Sequence, residues 1–163
     1  MEIYSMMKNM NLDEVREFIR NTSDQTCIYI GADSERYCGK NNLWYADYTL
    51  AVVIHYDGSR GCKVFGKMET ERDYDQRKDR PAYRLMNEVY KVAQLYMDLA
   101  EAIGDRHAEV HLDINPDIIH GSSCVVQQAV GYIRGTCNVI PRVKPDAFAA
   151  SYAADRLKEI LVA

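Results

Sequence analysis

Two stretches hold residues whose type and spacing could do chemistry. Cys27-Ile28-Tyr29-Ile30-Gly31-Ala32-Asp33-Ser34 is an apolar run that ends in a carboxylate. At a period of two, Ile28 and Ile30 face one way while Tyr29, Gly31 and Asp33 face the other. Glu109-Val110-His111-Leu112-Asp113-Ile114-Asn115-Pro116 repeats the design, with Val110, Leu112 and Ile114 on one face and His111, Asp113 and Asn115 on the other. If the two runs are neighbouring strands, roughly 4.8 Å apart, Asp33 and Asp113 face each other and repel unless a proton or a cation lies between them. A divalent metal would fill that place. Taken singly, each acid also suits the start of a turn, as Asp-Ser and Asn-Pro often do.

Two more carboxylates fall on predicted helices. One helix opens at Pro81, runs to Ile103 and stops at Gly104, with Leu85, Val89, Val92, Tyr96, Leu99 and Ile103 as its buried stripe. Glu88 projects from the edge of that stripe, where a carboxylate either finds a partner or snorkels to solvent. The last helix, predicted over Ala147–Leu161, is rich in alanine where it would approach other backbone closely. Asp155 follows Phe148 and Tyr152 there at helical spacing, on an inward face.

The elements that must position these acids follow from periodicity and punctuation. Asn11, with Glu14 three residues on, opens a short helix over Leu12–Arg20. Leu43–Tyr56 alternates over a long span and predicts an antiparallel strand. Asp57-Gly58-Ser59-Arg60-Gly61 is a hairpin turn, and Cys62–Met68 returns as a third strand. Glu69–Arg80 holds nine charges and no aliphatic residue, which reads as an exposed, mobile loop. After the Asp113 run come a polar turn over Asn115–Gly121, a helix over Ser122–Arg134 ended by Gly135, and a β-rich run over Asn138–Val143. The expectation is α/β: a five-stranded mixed sheet, made of an antiparallel three-strand meander and two parallel strands, flanked by helices. Residues 1–163 form one domain, with its core about 26–161 and residues 1–25 as an N-terminal helical extension.

Composition narrows the function classes. With 163 residues, 47% apolar and 27% charged, the chain suits one globular domain with a sizeable core. Nothing resembles a signal peptide or a membrane span, so a cytoplasmic protein is expected. Five cysteines without a close pair fit neither a disulfide framework nor a zinc site. A net charge of −4 and a pI of about 5.6 supply no global positive field, so a polyanion would need local cations or metal.

The strings Ile30-Gly31-Ala32-Asp33-Ser34, His111-Leu112-Asp113-Ile114-Asn115-Pro116, Lys144-Pro145-Asp146-Ala147-Phe148-Ala149-Ala150 and Ala154-Asp155-Arg156-Leu157 point to a narrower match. Over roughly Cys27 to Leu157 the chain resembles the YkuK-type (DUF458) family of ribonuclease H-like predicted nucleases. The resemblance implies a ribonuclease H-like fold whose first and fourth strands are adjacent and parallel. It implies two Mg²⁺ or Mn²⁺ ions held by Asp33, Glu88, Asp113 and Asp155. Asp33 would bridge them, Asp113 and Asp155 would each hold one, and Glu88 would complete a shell or orient water.

The expected activity is metal-dependent hydrolysis of phosphodiester bonds in a nucleic acid, RNA or DNA, with no membrane partner. The alternative is a catalytically silent ribonuclease H-like module that binds nucleic acid or protein. Ser34, His111, Asn115, Lys144 and Asp146 are candidates for substrate or supporting contacts. Lys144 is either a phosphate contact or a solvated lysine, Asp146 either a further acid or a helix cap, and His111 either positions a ligand carboxylate or packs in the core. Departures from true ribonucleases H are the missing histidine before the last helix, where Val143-Lys144-Pro145 stands, and the missing basic tryptophan-bearing handle. Hybrid cleavage is therefore not implied.

Overall fold

Asn11 starts the first helix by accepting hydrogen bonds from the backbone N–H of Asp13 at 2.9 Å and of Glu14 at 3.4 Å. The computed structural model describes residues 10–58, 60–75, 81–117 and 121–150. Its elements are α1 (Leu12–Arg20), β1 (Cys27–Cys38), β2 (Trp44–His55), β3 (Cys62–Arg72), α2 (Ala82–Ile103), β4 (His107–His111) and α3 (Val126–Cys137). Val15 and Ile19 bring α1 into the same core as Ile28, Ile30, Leu50, Val52 and Leu99. All five cysteines are free thiols.

The sheet runs β3-β2-β1-β4, with β1 antiparallel to β2 and parallel to β4. The parallel register runs from Cys27 opposite His107 to Gly31 opposite His111. Continued two residues further, it sets Asp33 opposite Asp113. The sheet thus has four strands where five were expected. The run over Asn138–Val143 shrinks to a single bridge between His111 and Arg142, supported by three parallel-type hydrogen bonds. These are Arg142 N–H to Val110 O at 2.9 Å, Leu112 N–H to Arg142 O at 2.8 Å, and Lys144 N–H to Ile114 O at 3.0 Å. Pro141 offers no donor, and Asn138 leaves α3 in the left-handed region with φ 56°, so little of the run is free to form a ladder.

Other boundaries move for equally local reasons. β3 continues to Arg72, so the charged loop expected from Glu69 starts later; β2 is long enough to pair with it, and Lys67 and Lys91 neutralise Glu69, with Lys91 also reaching Glu71. α3 begins only at Val126, after a 3₁₀ turn over Gly121–Val125, and Gly135 stays helical because Asn138 supplies the left-handed cap. α2 keeps its expected span and ends at Gly104, whose φ of 54° suits glycine. Its start is held by Asp75, whose carboxylate accepts from the N–H of Tyr83 at 2.8 Å and of Arg84 at 3.0 Å.

Both faces of the sheet are covered, which is why seven consecutive residues of β2, Tyr48 to Ile54, are buried. Helices α1, α2 and α3 pack over Ile28, Ile30, Leu50 and Ile54. The opposite face receives residues 147–150, where the chain turns helical at Phe148. Phe148 packs edge-on to Tyr29 and His111, with ring centroids 4.8 and 4.7 Å apart. Ala147, Ala149 and Ala150 are fully buried, in line with the close approach expected of the alanines. The rest of the predicted last helix, with Asp155, falls on residues outside those described.

Gly31 sits directly beneath this turn. A Cβ built there would lie 2.6 Å from Ala150 N and 2.8 Å from Ala149 C, too close for backbone to yield cheaply. Gly31→Ala is expected to destabilise the protein by about 1–3 kcal/mol or more, read as a lower urea midpoint with unchanged slope. An unchanged midpoint would mean that residues 148–150 do not rest on β1.

Candidate active site

Glu88 is carried inward by α2 and is only 3% exposed. Burial pushes its carboxyl well above the ordinary range, and the charges of Asp33 and then Asp113 push it the same way. A hydrogen bond from Ser34 and the charge of Arg84 oppose the shift. Arg84 in turn donates from Nη1 to Ser34 O at 2.9 Å and to Ser34 Oγ at 2.7 Å, so the serine hydroxyl relays between guanidinium and carboxylate. Glu88 Oε1 has no hydrogen-bond partner among the described residues. A buried orphan oxygen in the field of two other acids is the arrangement a cation relieves.

One cation already lies there. Lys144 Nζ is 2.7 Å from Asp113 Oδ1, with side chains 41% and 18% exposed respectively. Its ammonium pKa is raised first by the hydrogen bond to Asp113, against partial desolvation, and further by the charges of Asp113, Asp33 and Glu88. The lysine backbone is tied to the Asp113 segment by its N–H bond to Ile114 O. Asp33 and Asp113 thus lie close enough to Glu88 for their charges to act on it, and Asp155 lies outside the described residues. Among the described residues, however, no three His, Cys, Asp or Glu side chains close on one point as a metal shell would. The donor set, all carboxylate oxygen with one buried atom unpaired, fits a hard divalent ion in chemistry.

The remaining candidates take other roles. His111 is fully buried; its Nδ1 accepts from Ala149 N–H at 3.1 Å and its Nε2 faces Glu109 at 2.9 Å. Burial lowers its pKa despite Glu109, and the acceptor role of Nδ1 places the proton of the neutral ring on Nε2. His111 thus clamps the start of the last helix to β4. Asn115 accepts from Asp117 N–H at 2.9 Å and closes a turn. Asp146 is exposed and in the field of Arg142.

Sequence reasoning missed Arg84 and Glu109. Arg84 stands four residues before Glu88, a spacing that puts both on one helix face. Glu109 shares a strand face with His111 two residues on, and also holds Arg142 Nε at 2.7 Å.

A meander joined in parallel to a fourth strand, with acids on β1, on α2 and just past β4, defines a nuclease-like α/β module of the ribonuclease H type. A family model described as ribonuclease H-like matches residues 10–159, and the chain belongs to that family, the YkuK-type (DUF458) group its sequence resembles. Neither curated proteins nor solved structures give a match. No described helix is long and apolar enough to cross a membrane.

Because the folded pKa of Glu88 lies above its unfolded value of 4.5, its contribution is fully present below pH 4.5 and is lost as pH rises through the folded value. In EDTA, the wild type should lose stability across that window at up to about 1.4 kcal/mol per pH unit, while Glu88→Gln does not. Thermal melts of both proteins from pH 4.5 to 8 check this; parallel curves would mean Glu88 titrates normally.

Proposed function

We propose that this chain is a nuclease that hydrolyses phosphodiester bonds with two bound Mg²⁺ or Mn²⁺ ions. The observation that carries the reading is the coupled set Asp33, Glu88 and Asp113, with the buried Glu88 Oε1 unpaired, on a ribonuclease H-like frame. Asp33, Glu88, Asp113 and Asp155 would hold the ions. When bound, such ions lower the pKa of water and neutralise the leaving oxygen. Within the chain, Arg84 and Ser34 orient Glu88, while the β1–β4 register, continued past Gly31, sets Asp33 opposite Asp113. His111 and Gly31 fix residues 148–150, from which the predicted helix bearing Asp155 would run.

Nucleic acid is favoured over a small phosphate ester by the sheet face beyond Asp33. At period two, Tyr37 shares that face; it stands opposite Tyr45, which stands opposite Arg72. The Tyr37 and Tyr45 rings stack at 5.8 Å, and the Arg72 guanidinium lies 5.7 Å from Tyr45 and 5.2 Å from Tyr74. Tyr37 is 39% exposed and Tyr74 58%. Aromatic faces interleaved with guanidinium accept unpaired bases. Glu35 and Asp47 lie on the same face, so bases rather than phosphates would face the sheet there.

A binding module without turnover is the second reading, favoured by the absence of a closed shell of metal donors among the described residues. Labelled single-stranded, duplex, hybrid and branched nucleic acids incubated with Mg²⁺, Mn²⁺ or EDTA separate the two. Metal-dependent cleavage is expected, reduced at least about 100-fold in Asp33→Asn and in Asp113→Asn, because a neutral amide is a poor ligand for a hard cation. Near wild-type rates in both variants would sink the assignment. Tyr45→Ala should weaken binding of a single strand by about 1–3 kcal/mol, measured by fluorescence anisotropy, and leave duplex binding less affected.

A further inference from the structure

Lys144 is placed where a metal's charge would act. Its ammonium bonds Asp113 Oδ1 at 2.7 Å and lies in the field of Asp33 and Glu88. The lysine backbone is fixed by the bond from its N–H to Ile114 O, but its side chain is 41% exposed, which leaves it a route to solvent. Glu88 Oε1, nearly inaccessible and without a hydrogen-bond partner among the described residues, gains no hydrogen bond from this arrangement. The lysine satisfies one carboxylate and leaves the deepest one unsatisfied. An isolated exposed ion pair would be nearly neutral energetically, but this one lies in the field of two further acids, Asp33 and Glu88.

We infer that Lys144 is an internal counterion of the carboxylate site, which a divalent cation must displace in order to bind. The inference rests on the metal-site reading above and adds a regulation to it. With the ammonium seated, only a fraction of molecules is competent for metal, and apparent affinity falls by that fraction. Once displaced, the ammonium remains at the mouth of the site, where it can meet an anionic phosphate.

The test uses metal alone, without nucleic acid. Calorimetric titration with Mn²⁺ should give Lys144→Met an affinity about tenfold tighter than wild type, while Lys144→Arg, which keeps the charge, is no tighter. In EDTA, Lys144→Met should melt lower than wild type, because its acids have lost their cation. Wild-type protein labelled with ¹⁵N-lysine supplies an independent readout. The Lys144 ammonium resonance, protected from exchange in EDTA, should move to a solvent-exposed position as Mg²⁺ is added.

If wild type binds Mn²⁺ and Lys144→Met binds no tighter, or if Mg²⁺ binds while the resonance stays in place, the counterion role is overturned and the metal site stands. If wild type and Lys144→Met both fail to bind Mn²⁺ at millimolar concentration, the metal-site reading itself falls, and the displacement falls with it.

Discussion

The constraint on which the rest depends is electrostatic: three carboxylates are gathered at one end of a parallel strand pair, and one of them is almost wholly removed from water. Taking a carboxyl out of water beside other acids makes ionising it costly, which is why Glu88 sits well above the ordinary carboxylate range. A fold tolerates this only if other interactions make the alternatives worse. Here the acids are borne on elements whose positions are set by apolar packing: Asp33 follows Ile28 and Ile30 on β1, and Glu88 is flanked by Leu85, Val89 and Val92 on α2. Moving either acid outward would expose that core.

The second face of the sheet is organised by close approach. Gly31 lets the backbone at Ala149 and Ala150 descend onto β1, and His111, buried and neutral, accepts the Ala149 N–H. Glu109 orients the imidazole from the other side while also binding Arg142. One short network therefore ties β1, β4, the 142–144 segment and the origin of the last helix together. The residues that hold this joint are not those that would do chemistry, yet they set the position of residues 148–150 over the sheet.

Much of this frame was legible in the sequence. The Asn11 cap, the span of α2 with its Gly104 stop and the meander rest on local signals (a cap residue, a period, a turn), whereas the parallel pairing of the Asp33 and Asp113 runs is what the family resemblance implies. What was not legible depended on partners far along the chain. The fifth strand dwindled to a bridge because Pro141 and the left-handed Asn138 remove it from the ladder, although its composition is β-rich. The charged stretch from Glu69 became strand because β2 was long enough to pair with it and Lys91, on α2, was there to neutralise it. Trp44, at the start of β2, stays exposed with the Arg36 guanidinium over its ring, an arrangement that strand period alone does not reveal. In the site, the three described acids were found from strand and helix period, whereas the Arg84–Ser34 relay and the Lys144–Asp113 pair needed three dimensions.

The contrast between how the anions and the cation are held gives the site its character. Asp33 sits on a twelve-residue strand paired along its whole length with β2 and up to Gly31 with β4, and Glu88 sits inside a helix of twenty-two residues. Lys144 belongs to a segment attached to the sheet by one bridge and a few hydrogen bonds, and it reaches Asp113 through a long, partly exposed side chain. Ordering such a chain costs more rotamer entropy than ordering an aspartate, and less than half of that side chain is solvated to repay the loss by snorkelling. The carboxylates are therefore the fixed members of the pair and the ammonium the adjustable one. A site built in that sense keeps its donors in place when its counterion changes, which is the property that exchange of one cation for another requires.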